Sequence, residues 1–151
     1  MSYIALIIII FITIITIVAA ILFTIALDNL ARLPDPTDSI SSSILDNVVS
    51  IGTWIVIFLI FLIALDLTIA ILVYYNSSRG TTSNFAFYLT ITLIIATIGL
   101  LILEIHAYNE INLFRREVND TIVRTSIDQM FWGIILTGIA LLSSIFLGFL
   151  I

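Results

Sequence analysis

The stretch IGTWIVIFLIFLIALDLTIAILVYY, Ile51 to Tyr75, decides the fold. A helix needs about 20 apolar residues to cross the ~30 Å hydrocarbon core of a bilayer, and this stretch exceeds that with a single ionisable side chain, Asp66, well inside it. Trp54 near one end and Tyr74-Tyr75 at the other fit the aromatic belts of a membrane-water interface. A bare carboxylate costs several kcal/mol in hydrocarbon, so Asp66 is expected to face other helices, water or a ligand. The neighbouring segments then read as walls around it.

Composition supports the same class. Of 151 residues, 62% are hydrophobic and 10% charged, with a mean hydropathy of +1.30. An ordinary soluble domain is about 25% charged. So much Ile and Leu at this length predicts one polytopic membrane domain over residues 1–151. The net charge of −5 argues against nucleic acid and anionic lipid surfaces as main partners. There is no Cys, which removes disulfides, thiolate metal sites and Cys nucleophiles. The N-terminal apolar run from Tyr3 to Leu27 lacks a basic leader and is longer than the ~7–15 residues of a signal core, so it is read as a retained helix.

Three further spans flank the central one, giving an expected all-α bundle with spans at about 3–27, 51–75, 85–107 and 130–151. In the first, Thr13, Thr16, Ala20 and Thr24 are placed on one face by spacing, a small, weakly polar stripe suited to close packing in lipid. Pro34 and Pro36 prevent a helix from running through the first connection, and Asp38 or Ser39 is available as the next cap. Ile40, Ile44, Val48 and Ile51 carry an amphipathic approach into the second span, whose inner face is expected to hold Gly52, Ile55, Leu59, Asp66, Ala70 and Val73. In the third, Ala86, Thr90, Thr97 and Glu104 share a face at near-heptad spacing. The polar connection 108–129 continues an apolar stripe through Ile111, Phe114, Val118 and Ile122, and is predicted to be a helical extension broken near Asn119-Asp120. Ser126 with Gln129 has capping-box spacing and is expected to start the fourth helix. Gly133, Thr137, Ala140, Ser144 and Gly148 then form the strongest small-residue packing face in the chain. Together these patterns predict inner faces carrying Thr16, Ala20, Asp66, Thr97, Ala140 and Ser144.

With four spans, both termini share a side with the Arg79 loop, and Arg32, Arg115, Arg116 and Arg124 lie opposite. The positive-inside rule places that Arg-rich side in the cytoplasm or its equivalent and the termini outside.

Two clusters are candidates for chemistry. Asp66 is expected at the depth of Thr13 and Thr16, of Thr92 to Thr97, and of Ser143 and Ser144. It reads either as a hydrogen-bonded group in a polar layer that sets helix packing, or as a proton or cation site. Glu104 and His106 are placed near a membrane surface as a solvated interfacial cluster or a proton-access site, with side chains that do not face each other. One His with scattered acids is not a metal constellation, and no phosphate loop, dinucleotide fingerprint or nucleophile elbow is present, so no cofactor and no catalysis are expected. The functional expectation is a non-catalytic structural or accessory subunit of a larger membrane assembly, either an energy-converting complex or a membrane-anchored virion shell. It would dock on other membrane subunits through 108–129. The alternative is a small proton or cation transporter or channel using Asp66. The 108–129 stripe packs either on its own hairpin or on a partner.

Overall fold

The computed structural model describes the backbone over residues 2–32, 39–79, 84–117 and 121–151, and side chains over 3–32, 43–76, 84–113 and 121–151. Four helices run in order: α1 Ser2–Ala31, α2 Ser39–Arg79, α3 Asn84–Glu117 and α4 Thr121–Leu150. All four are long and apolar enough to cross a membrane. They pack as a ring in which each helix touches its chain neighbour and α4 closes back onto α1. The chain is therefore an all-α, four-helix membrane bundle.

The reason lies in the spacing of what is buried. On α1 the inward residues are Ala5, Ile9, Ile12, Thr16, Ala19, Phe23, Ala26 and Leu30, alternating steps of three and four. On α3 they are Ala86, Thr90, Leu93, Thr97, Leu100, Glu104, Ala107 and Ile111, with the same alternation. Met130, Gly133, Thr137, Ala140, Ser144 and Leu147 repeat it on α4. A repeat of 3.5 residues keeps one seam turned to the neighbours along the whole helix, as in left-handed bundles. The opposite faces carry Ile14, Ile60, Ile95 and Leu142, large apolar side chains pointing outward, as a lipid-facing surface requires.

That period corrects three details of the sequence reading. Ala20 is only half-buried and Thr24 is exposed; Ala19 and Phe23 hold the seam instead. Ala70 likewise gives way to the fully buried Ile69. By spacing alone, steps of three then four and of four then three both return to the same face after seven residues, and only the packed neighbours choose between them. The start of the fourth helix is also earlier than its capping-box signal. Helix α4 begins at Thr121, and Ser126 sits fully buried inside it rather than at its end.

Helix α2 has 41 residues, about 60 Å at ~1.5 Å per residue, roughly twice the hydrocarbon thickness. The excess is not bare. Leu30, Leu45, Val48, Ile111, Val123 and Ile127 continue the same core at the polar end of the bundle. Of the apolar stripe of 108–129, Ile111 thus packs on its own chain. Ile111 is fully buried there, whereas Leu113 and Ile122 are about half exposed. The side chain of Phe114 and the whole of Val118 lie outside the described residues.

A candidate site in the bundle interior

Two acids sit inside the bundle, and both are 0% exposed: Asp66 on α2 and Glu104 on α3. Each occupies a seam position of its heptad, where the neighbours along the helix are apolar. Asp66 falls between Leu62 and Ile69, and Glu104 between Leu100 and Ala107, all four buried. The sequence rule that places these acids inward is the same one that builds the core.

Glu104 is the larger departure from expectation. It was expected in a solvated cluster near a membrane surface, but its side chain is fully buried against the neighbouring helices. Its Oε1 lies 2.9 Å from the Thr137 hydroxyl on α4, a contact that ties α3 to α4 inside the bundle. Its Oε2 is buried with no hydrogen-bond partner. His106, two residues on, is exposed on the outer face, so the two do not share a site. The signal for Glu104 was in the sequence, since Thr97 and Glu104 are seven residues apart on one face. What spacing did not supply was the partner on α4, Thr137.

Asp66 stands beside Thr16 of α1, as the depth argument expected. The Thr16 proton, however, goes to the Ile12 carbonyl at 2.8 Å, and both Asp66 carboxyl oxygens are buried without a hydrogen-bond partner. Between the acids, Ile12, Thr16, Leu59, Leu62, Leu93, Thr97, Leu100, Thr137 and Ala140 enclose a space of about 10 Å³, at the lower limit for one water molecule. The contacts of Leu27 with Gly52 and of Phe23 with Gly133 set the relative heights of the helices. On that scale Asp66 and Glu104 are about six residues apart along the axis, or ~9 Å.

Packing around the site is tight where the small residues are. A Cβ on Gly133 would meet the Phe23 ring at 2.5 and 2.8 Å, and one on Gly52 would meet the Leu27 side chain. Ala140 and Ser144 are buried, as read from the sequence. Gly148 is half-buried, and a Cβ there would meet Ile94 and Thr90 only at ordinary contact distance. Among the described residues no group of three His, Cys, Asp or Glu side chains converges. No protein family, characterised protein or solved structure matches this chain.

Proposed function

We propose that the chain is a non-catalytic structural or accessory subunit of a larger membrane-embedded assembly, such as an energy-converting membrane complex or a membrane-anchored virion shell. The observation that carries this reading is the closed interior. The space at the centre of the bundle is about 10 Å³, room for one water at most and none for a solute. The outward faces are dominated by large apolar side chains suited to lipid or to neighbouring spans. Docking of other membrane subunits falls to the outer side of the polar end, around Leu113 and Ile122, because Ile111 is used internally.

Gentle extraction of the native membrane, then sizing and mass spectrometry of what co-migrates, tests this reading. Stoichiometric migration with a large assembly is the expected result. Migration alone, or as a small homo-oligomer with full activity, sinks it.

A second reading, a small proton or cation transporter, is favoured by one observation, the buried and unpartnered carboxyl of Asp66. Intramembrane acids commonly mark ion or proton pathways. In liposomes, Asp66→Asn is expected to abolish any flux the wild type shows; unchanged flux removes Asp66 from that role.

A further inference from the structure

Six hydroxyls inside the bundle are placed to give their protons to their own helices, whereas the buried Ser126 hydroxyl has no partner. Thr13, Thr16, Thr90, Thr97, Thr137 and Ser144 each lie 2.7–2.9 Å from the carbonyl oxygen four residues back on their own helix. A hydroxyl has one proton, and a carbonyl oxygen can only accept. Toward the helices packed against them, these hydroxyls therefore present lone pairs. Among the described residues no Arg or His side chain is buried, and the chain has no Lys.

Glu104 makes the consequence concrete. Thr137 Oγ1 lies 2.9 Å from the Gly133 carbonyl oxygen and 2.9 Å from Glu104 Oε1. One hydroxyl proton cannot serve both. If it stays on Gly133, the oxygen pair between Thr137 and Glu104 is a hydrogen bond only when the carboxyl brings the proton. Asp66 lacks even that contact: both of its carboxyl oxygens are buried without a hydrogen-bond partner, and the proton of Thr16 is directed to Ile12.

We propose that the bundle interior binds protons, one on Glu104 donated to Thr137 and one on the buried, unpartnered carboxyl of Asp66. The ligand is a proton rather than a divalent metal ion, because hard cations take six or more oxygen ligands and among the described residues no group of three acids or His converges on either carboxyl. Among the described residues no other charged side chain is buried beside the two acids. Glu104 faces Thr137 from α4, Asp66 lies about 9 Å along the axis on α2, and α1 contributes Thr13 and Thr16. Tyr108, one turn beyond Glu104, has its ring against Phe131. The other polar side chains of α4 that turn inward, Gln129, Ser126 and Ser144, are about two, three and two turns from Thr137. The proposal deepens the second reading by naming its ligand, and it holds whether or not the chain conducts.

Infrared spectroscopy of the full chain in lipid bilayers at neutral pH tests it. The wild type is expected to show carbonyl bands of protonated carboxylic acids that shift on exchange into D2O. Glu104→Gln removes one component and Asp66→Asn another. Thr137→Val, which deletes the acceptor, moves the Glu104 band; Thr137→Ser leaves it in place. A wild-type spectrum with carboxylate bands only overturns the proposal, and so does a Glu104 band that Thr137→Val does not move. The wild-type spectrum and the Thr137 pair decide the matter even where an acid variant fails to fold. Because flux is not the readout, loss of the transport reading and loss of this one are separate outcomes.

Discussion

At the scale of single residues, the bundle depends on polar atoms placed where no water reaches them. Glu104 and Thr137 form the polar tie across the α3–α4 seam. Interhelical hydrogen bonds in membrane proteins average about 0.6 kcal/mol and reach ~1.7, so Thr137→Val is expected to lower stability by that order in a reversible detergent-unfolding titration. Glu104→Gln keeps the shape and supplies an amide donor to the Thr137 oxygen, and should stay within about 1 kcal/mol of wild type. Glu104→Ala opens a void and strands an oxygen; a loss of about 2 kcal/mol or more is expected. Equal behaviour of the Gln and Ala variants would show that the tie contributes nothing. Gly133 makes a second residue-scale point. Its added Cβ would strike the Phe23 ring, which is fully buried and has no room to retreat. Gly133→Ala should therefore cost about 1–3 kcal/mol of overpacking. Gly99 and Gly138 have nothing within 4 Å of a Cβ, so Ala there is expected to be neutral or to gain up to ~1 kcal/mol of helix propensity.

At the scale of elements, each helix combines a seam of period 3.5 with an apolar outer face. Hydrophobicity alone says little about orientation here, because both faces are apolar; the inward face is marked by small and hydroxyl side chains instead. The outward face can be tested directly. Leu142 is 69% exposed near the middle of the expected 130–151 span, so Leu142→Asp would place an acid in lipid, at roughly 2.5–3.5 kcal/mol on insertion scales. Its inserted fraction should fall, whereas Leu113→Asp, toward the polar end, should insert normally. Similar insertion of both would contradict the lipid-facing assignment of Leu142. Because the chain has no Cys, single cysteines report sidedness cleanly. With four crossings, Asp46→Cys and Asp128→Cys should label from one side of a sealed vesicle and Asn76→Cys from the other. Labelling of all three from one side would remove the crossing pattern.

At the scale of the whole molecule, the four helices share one core that runs past the membrane boundary. Leu45, Val48, Ile111, Val123 and Ile127 extend it at the polar end, so helices of 30 to 41 residues stay packed beyond the thickness of the hydrocarbon. On the proposed reading as an accessory subunit, the chain is a rigid body held among other membrane components. The shared core also narrows the docking surface to side chains left outside the seam.

The all-α membrane class, the four crossings and most of the inner face are determined by the sequence itself. An apolar run of sufficient length has no alternative but to satisfy its backbone as a helix in lipid. Thr16, Asp66, Thr97, Ala140 and Ser144 were legible on the inner face because polar and small groups avoid lipid. Ala19 in place of Ala20, and Ile69 in place of Ala70, were not, because the order of three- and four-residue steps is chosen only once helices pack together. Burial of Glu104 was likewise decided by tertiary structure. A carboxyl near the assumed end of a span is indistinguishable from an interfacial one until the position of Thr137 on α4 is known. The same holds for Ile111, whose apolar stripe is a packing face whatever covers it; only the assembled bundle shows that its own chain does.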